Sequence, residues 1–213
     1  MEVAAIVVAA GRGVRFGGPK QFADLGGNTV SAVSVRAARS VASRVVLVVP
    51  EGYAGDGEGA DVVVTGADTR AGSVRAGLAS CGSPDVVVVH DAARPLADSG
   101  LFHAVVDAVV AGADGAIPAL TVTDTVKRVM TDGDDVVIVA TVAREELMTV
   151  QTPQAFRFDV LVAAHDGDPE ASDDAALVEA AGGRVVAVSG DPRNVKITDP
   201  GDLELVGRLR EGE

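Results

Sequence analysis

The sequence has little of several residue types on which whole classes of protein depend. Of its 213 residues, 3% are aromatic and none is Trp, so the stacking platforms of single-stranded nucleic-acid binders are nearly absent. A formal net charge of -13 excludes a broad basic surface for DNA, RNA or anionic lipid. Only three lysines occur, at Lys20, Lys127 and Lys196. We therefore expect no nucleic-acid partner, and any anionic ligand must be bound locally.

Cysteine, zinc ligands and long apolar runs are also scarce. The single cysteine, Cys81, cannot form an intramolecular disulfide, and no Cys and His cluster has the spacing of a zinc site. The first residues lack the basic stretch of a signal peptide, and no apolar run reaches the roughly 18 residues of a membrane helix. These absences predict a cytoplasmic protein with no membrane contact.

Short Val-rich runs bounded by Gly, Pro and Asp recur along the chain. Several are apolar without alternation, which is typical of strands buried on both faces of a parallel sheet. They lie at 3–9, 44–49, 61–64, 86–89, 115–119 and 185–188. Between them, apolar residues at helical spacing predict stripes that pack on the sheet: Val30, Val33, Ala37 and Val41, then Leu101, Val105 and Val109. We therefore expect one α/β domain over residues 1–213, with a mostly parallel, doubly wound sheet flanked by helices.

One segment interrupts this alternation. Thr125–Met130 and Val136–Thr141 are predicted strands, and the Asp-Gly pair between them is a strong hairpin signal. An isolated two-stranded hairpin is only marginally stable in water. We therefore expect an inserted arm at about 121–150 that packs against a partner subunit.

The first predicted strand leads into a glycine-rich loop, AAGRGVRFGGPKQF, at 9–22. Glycines let backbone N–H groups approach a phosphate closely, and Arg15 and Lys20 supply matching charge. Pro19-Lys20-Gln21 replaces the end of a P-loop, and Phe16 stands where a dinucleotide fingerprint needs its third glycine. The loop is suited to a polyanion, the alternative being a plain connection with surface cations.

A polar string, HDAARP, follows the fourth predicted strand at 90–95. Asp91 is well placed there to hold Mg²⁺ directly or through water, and Arg94 to meet a phosphate bidentately. The alternative is that Asp91 caps a turn and pairs with Arg94. For His90 we expect a hydrogen-bonded ring rather than a catalytic base.

Two more strings look like helix starts. GADTRAGSV at 66–74 has Asp68 or Thr69 as its candidate N-cap. Exposed N–H groups at such a helix start suit a base edge or a ribose hydroxyl, the alternative being ordinary capping, which explains most of the string. SDDA at 172–175 places acids where a helix dipole favours them. His165 falls on a predicted helix and belongs to no evident group of functional residues.

Taken in order, seven strings closely resemble the 2-C-methyl-D-erythritol 4-phosphate cytidylyltransferase family of the non-mevalonate isoprenoid pathway. They are AAGRGVRFGGPKQF, GADTRAGSV, VHDAARPL, TDTVKRV, QTPQAF, SDDAALVE and NVKITDPGDL, and they span essentially the whole chain. The resemblance implies a Rossmann-like nucleotidyltransferase fold and a homodimer with interlocked arms. It also implies Mg²⁺-dependent transfer of a cytidylyl group from CTP to a sugar-alcohol phosphate, with release of pyrophosphate.

The resemblance also implies roles for the matching residues. Arg15 and Lys20 match the family's catalytic pair on the triphosphate, and Lys196 matches a third cation near the α-phosphate. The nucleotide positions match Ala9, Ala10, Gly11, Gly13, Asp68 and Ser73. The acceptor and metal positions match Asp91, Arg94, Thr125, Arg144 and Thr152, with Asp91 expected to hold the metal directly or through water. Thr125 and Arg144 would reach a neighbouring subunit's site, and Lys127 has no assigned role.

Three other functions compete with this interpretation. A cytidylyltransferase for a pentitol phosphate such as ribitol 5-phosphate would use overlapping contact residues. An NAD-dependent dehydrogenase is disfavoured by the missing third glycine and by Val48-Val49-Pro50-Glu51 where an acid should end the second strand. A nucleotide-binding module without turnover is supported only by the loop between Arg15 and Pro19, which is shorter than is usual in the family.

Overall fold

The computed structural model describes residues 1–211. Its strands are β1 Val3–Val8, β2 Arg44–Val49, β3 Val62–Thr65, β4 Val86–Asp91, β5 Gly115–Thr121, β6 Val126–Asp132, β7 Asp135–Val142, β8 Met148–Val150, β9 Gln154–Arg157 and β10 Val185–Ser189. Its helices are α1 Val30–Ala38, α2 Arg70–Leu78, α3 Ser99–Val110, α4 Phe158–Ala164, α5 Asp174–Ala180 and α6 Pro200–Glu211. Within this range, no helix combines the length and apolarity needed to cross a membrane.

The central sheet is mostly parallel, as the Val-rich runs predict. Its strands lie in the order β10, β5, β9, β4, β1, β2, β3, and β8 pairs with β5. Among the described strands of this sheet, only β9 and β8 run antiparallel to their neighbours. Strand β9 was not expected, because its four residues carry no Val or Ile run. It extends because β4 and β5 offer backbone hydrogen bonds on both sides.

Both faces of the sheet are buried, which explains the strands' lack of alternation. Along β1, Ala5 and Val7 pack under α1 and α3, whereas Ala4 and Ile6 pack under α2, α4 and α5. All four side chains are at most 1% exposed. A strand covered on both faces needs apolar residues at every position.

The two predicted helix stripes differ in outcome. On α3, Leu101, Val105 and Val109 are buried, as expected. Helix α1 ends at Ala38, before Val41. The residues of its buried face are Val30, Ser31, Ser34, Val35 and Ala38. The predicted stripe does pack against the core, but of its four residues only Val30 is fully buried, whereas Val33, Ala37 and Val41 are partly buried. The hydroxyl of Ser34 is tolerated inside because it donates to the Ala92 carbonyl oxygen at 2.9 Å.

The inserted hairpin has the predicted position but a tighter turn. Strands β6 and β7 continue to Asp132 and Asp135, so only Gly133 and Asp134 form the turn. Gly133 has a φ of 59°, a conformation that favours glycine. In the described residues, β6 and β7 pair only with each other. They leave large apolar side chains exposed: Val129, Met130, Val136, Val137, Ile138 and Val139.

Packing of α2 against β1 yields a stability prediction. A Cβ added at Gly77 would come within 2.5 Å of the Ile6 Cγ2 atom, and Ile6 is fully buried. We expect Gly77→Ala to lower the free energy of unfolding by about 1–3 kcal/mol, because the core must shift to admit the methyl group. Urea unfolding measures the change.

Gly207 provides the matched control. It lies in α6, and a Cβ there would meet nothing within 4 Å. Gly207→Ala should raise the free energy of unfolding by about 0.5–1 kcal/mol, since alanine favours a helix over glycine. Equal effects of the two substitutions would contradict the packing described for Gly77.

Candidate active site

A cavity of about 240 Å³ lies outside the carboxyl ends of β1 and β4. From β1 the chain winds outward through β2 and β3, then crosses back to β4 on the other side of β1. Loops that leave two neighbouring parallel strands in opposite directions open a crevice between them. The walls of this cavity are Val8, Ala9, Ala10, Gly11, Arg12, Lys20, Gln21, Ala67, Asp68, Thr69, Arg70, Ser73, Asp91, Ala92, Ala93 and Lys196.

The glycine-rich loop is held in shape from inside. Gly13 has a φ of 63°, and a Cβ there would lie 1.8 Å from the Gly18 carbonyl oxygen. The buried Gln21 amide donates from Nε2 to the Ala9 oxygen at 2.6 Å and to the Gly11 oxygen at 3.0 Å. Gln21 was not predicted as a site residue, because its partners are backbone carbonyls that the sequence does not reveal.

Lys20 and Lys196 meet in the cavity although they lie at opposite ends of the chain. Nζ of Lys20 donates to the Ile197 carbonyl oxygen, and Nζ of Lys196 donates to Oδ2 of Asp91 at 2.6 Å. Burial lowers the pKa of Lys20, and the charges of Lys196 and Arg15 lower it further. The mutual repulsion of these cations favours an anionic ligand.

Asp91 is the buried carboxylate that faces these cations. Its side chain is 12% exposed, and Oδ1 accepts from Nε of Arg70 at 3.3 Å. Although burial raises the pKa of Asp91, the charges of Arg70 and Lys196 hold it well below its usual range. The predicted alternative, pairing with the Arg94 side chain, is not observed. Arg94 instead donates from Nη1 to the Asn194 carbonyl oxygen at 2.7 Å.

The start of α2 forms the wall opposite the glycine-rich loop. Thr69 is the N-cap and accepts from the Gly72 N–H at 3.0 Å, which leaves Asp68 outside the helix. Asp68 forms an exposed ion pair with Arg12 at 2.6 Å. The hydroxyl of Ser73 donates to the Thr69 carbonyl oxygen at 2.9 Å. Asp68, just before the helix, and Ser73, within it, both line the cavity.

The remaining predicted residues lie outside the cavity lining. Arg15 is exposed in the glycine-rich loop. Thr152 is buried behind Asp91, where its Oγ1 accepts from the Asp91 N–H at 3.0 Å and lies 3.1 Å from Nδ1 of His90. Thr125 and Arg144 are exposed beside the hairpin, where Arg144 donates to the Thr123 carbonyl oxygen. Neither side chain lines the cavity.

Arg70, Asp174 and His165 form a group that sequence analysis missed. Nη1 of Arg70 donates to Oδ2 of Asp174 at 2.6 Å, and Nε2 of His165 lies 3.1 Å from Oδ1 of Asp174. His165 therefore belongs to a buried polar cluster, contrary to expectation. The sequence held one signal for Arg70. It lies at the start of a helix, where the helix dipole disfavours a cation, and such an exception indicates a specific partner elsewhere in the fold. In residues 1–211, no three His, Cys, Asp or Glu side chains cluster as a metal site.

Comparisons with known proteins show the family of this chain. The model of the family described as 2-C-methyl-D-erythritol 4-phosphate cytidylyltransferase matches residues 3–208. The chain is 45% identical to the bifunctional enzyme IspD/IspF of Rhodospirillum rubrum, with 100% of this chain but 58% of that relative covered. It therefore spans little more than half of that longer protein.

Relatives of similar length also match. The chain is 44% identical to the 2-C-methyl-D-erythritol 4-phosphate cytidylyltransferase of Rhodococcus jostii, with 98% and 95% of the two chains covered. It is similar to the crystal structure of that enzyme from Thermus thermophilus, at a TM-score of 0.83 and 36% identity over 99% and 100% of the two chains. This chain belongs to the 2-C-methyl-D-erythritol 4-phosphate cytidylyltransferase family.

Proposed function

We propose that this chain transfers the cytidylyl group of CTP to 2-C-methyl-D-erythritol 4-phosphate, releasing pyrophosphate in isoprenoid precursor biosynthesis. The observation that carries the proposal is the meeting of Lys20, Lys196 and Asp91 at one end of the glycine-rich loop. Family membership supports the choice of substrates.

The reaction demands charge neutralisation more than proton transfer. The attacking group is a phosphate monoester with a second pKa of about 6, so at neutral pH it is mostly dianionic and already nucleophilic. The obstacle is repulsion between two polyanions. Lys20 and Lys196 face the cavity, and Arg15 is close enough to lower the pKa of Lys20. These cations would offset charge on the α-phosphate and on departing pyrophosphate.

His90 is unsuited to act as a base. It is fully buried, and burial lowers its pKa to about 4 despite the opposing charge of Asp91. A neutral, enclosed imidazole next to the site cannot reach a substrate proton. This agrees with a nucleophile that needs no deprotonation.

Asp91 fits the role of a magnesium ligand. Mg²⁺ is commonly held by one or two carboxylates together with substrate phosphates, and Asp91 brings one ionised carboxylate to the cavity. The ion, when bound, would supply positive charge to the phosphates. Lys196 and Arg70, which both contact this carboxylate, would keep it in place.

The cavity wall suits a nucleoside. Ala9, Ala10 and Gly11 carry almost no side chain, so a pyrimidine could lie against their backbone. Asp68 could accept hydrogen bonds from ribose hydroxyls, because capping by Thr69 leaves its carboxylate outside the helix.

The decisive assay supplies CTP and Mg²⁺ with either methylerythritol phosphate or ribitol 5-phosphate and measures pyrophosphate release. Faster release with methylerythritol phosphate is the expected result. Faster release with ribitol 5-phosphate would indicate a pentitol phosphate enzyme. CTP binding without release from either acceptor would indicate a nucleotide-binding module.

The two lysines of the cavity should be essential for turnover. We expect Lys20→Ala and Lys196→Ala each to lower kcat about 100- to 1,000-fold while the protein stays folded, because each removes charge neutralisation at the phosphates. Pyrophosphate release measures kcat, and thermal unfolding checks the fold. Arg208→Ala, on the exposed side of α6, is the control and should retain wild-type activity. Near wild-type turnover in both lysine variants would exclude their proposed role.

The hairpin supports the proposal of a homodimer. Its exposed apolar side chains include Ile138 at 63% and Val136 at 69% exposure. Burying such a surface against a second copy would stabilise a hairpin that is marginal alone. The partner would also bring Thr125 and Arg144 to the other subunit's cavity.

Ile138→Asp should convert the dimer to a monomer, because an unpaired carboxylate in an apolar interface is costly to desolvate. Light scattering during size-exclusion chromatography measures the mass. Val110→Asp makes the same substitution at an apolar residue of α3 that is 56% exposed. It should leave the mass unchanged. A wild-type monomer, or a dimer of Ile138→Asp, would contradict the proposed interface.

A hybrid dimer tests whether the site is shared between subunits. Lys20→Ala and Arg144→Ala homodimers should both have low activity. A purified hybrid should regain about half of wild-type activity, because one of its two sites contains both intact side chains. No recovery would mean that Arg144 acts within its own subunit.

A further inference from the structure

A continuous row of charged side chains runs from the cavity into the protein interior. Lys196 contacts Oδ2 of Asp91, Arg70 contacts Oδ1 of Asp91, and Arg70 also contacts Asp174. His165 ends the row at 3.1 Å from Asp174. Two carboxylates and two cationic side chains alternate along the row, so each carboxylate has a cation beside it.

The row joins elements that are distant in the chain. Arg70 is the first residue of α2, Asp174 is the first residue of α5, and Asp91 ends β4. Asp174 is fully buried, and the α5 dipole favours its charge. Arg70 stands at the positive end of its own helix dipole, which disfavours its charge. Burial also lowers the pKa of Arg70, but the charges of Asp91 and Asp174 outweigh this effect and raise the pKa above its usual value. The preference of a helix start for acidic residues is thus overridden by these two carboxylates at the functional site, where such exceptions are expected.

We propose that Arg70, anchored by Asp174, is a positioning residue that holds Oδ1 of Asp91 and thereby directs Oδ2 toward Lys196 and the cavity. Arg70 does this with two nitrogens of one rigid guanidinium, Nε toward Asp91 and Nη1 toward Asp174. The planar group fixes the angle between the two contacts, which a lysine ammonium cannot do. This role rests on the proposed function, because it concerns the carboxylate that would act in cytidylyl transfer.

Arg70→Lys is the informative variant, since it keeps the charge and loses the bridge. We expect kcat to fall about 10- to 100-fold, the usual cost of removing a group that orients a functional side chain. The affinity for CTP without metal, measured by calorimetry, should stay close to wild type. A merely structural role would weaken CTP binding as much as turnover, because the start of α2 also positions Asp68 and Ser73.

Arg75→Lys is the matched control. Arg75 lies on the same helix, is as buried as Arg70, and also pairs with two carboxylates, those of Asp168 at 3.0 Å and Glu170 at 3.2 Å. It does not contact Asp91, so kcat should match that of the wild type. A similar loss in both variants would show a general effect of helix ion pairs.

Asp174→Asn tests the anchor and gives a second route if Arg70→Lys is poorly folded. Alone it should lower kcat with CTP affinity retained, and in the Arg70→Lys background it should add little, because both changes break one linkage. Fully additive losses, or wild-type kcat in Arg70→Lys, would overturn the positioning role. Absence of turnover by the wild-type protein with either acceptor would contradict the proposed function as well, so the two failures are distinguishable.

Discussion

The buried carboxylate of Asp91 is the charge around which the site is arranged. A buried carboxylate at the end of a central strand loses most of its hydration. It is tolerated only when cations and hydrogen bonds replace the lost water contacts. Arg70 and Lys196 supply both, because each is a cation and donates a hydrogen bond to one carboxylate oxygen of Asp91. These contacts require the start of α2, the end of β4 and the segment before α6 to meet. The sheet order achieves this, because the chain reverses its winding between β1 and β4.

The same arrangement explains how an acidic protein can handle anions. The net charge is -13, yet two of the three lysines line one cavity. Burial and, after it, the neighbouring positive charges lower the pKa of Lys20, so part of the cost of assembling the site would be released when a polyanion binds. A compact group of cations, rather than a broad basic surface, also suits substrates whose charge is concentrated on phosphates.

The elements that could be predicted from the sequence are those that depend on local patterns. The Val-rich runs identified the parallel strands, the Asp-Gly pair located the hairpin, and Leu101, Val105 and Val109 marked the buried side of α3. Prediction failed where neighbours decide the outcome. Strand β9 is formed by pairing on both sides, and the buried face of α1 includes Ser34 because a carbonyl oxygen is there to accept its proton.

The sequence by itself determined the fold class, the position of the glycine-rich loop and the identity of the charged groups, because glycine, charge and apolar periodicity are properties of short segments. Only the tertiary structure decided which charges meet. Lys20 bonds to a carbonyl 177 residues away, and Arg70 bonds to a carboxylate 104 residues away. Such pairs depend on how helices pack over the sheet, and no local spacing encodes them. For that reason Gln21, Asp174 and His165 became visible as parts of the site only in the folded chain, and only there did Arg70 acquire its partners.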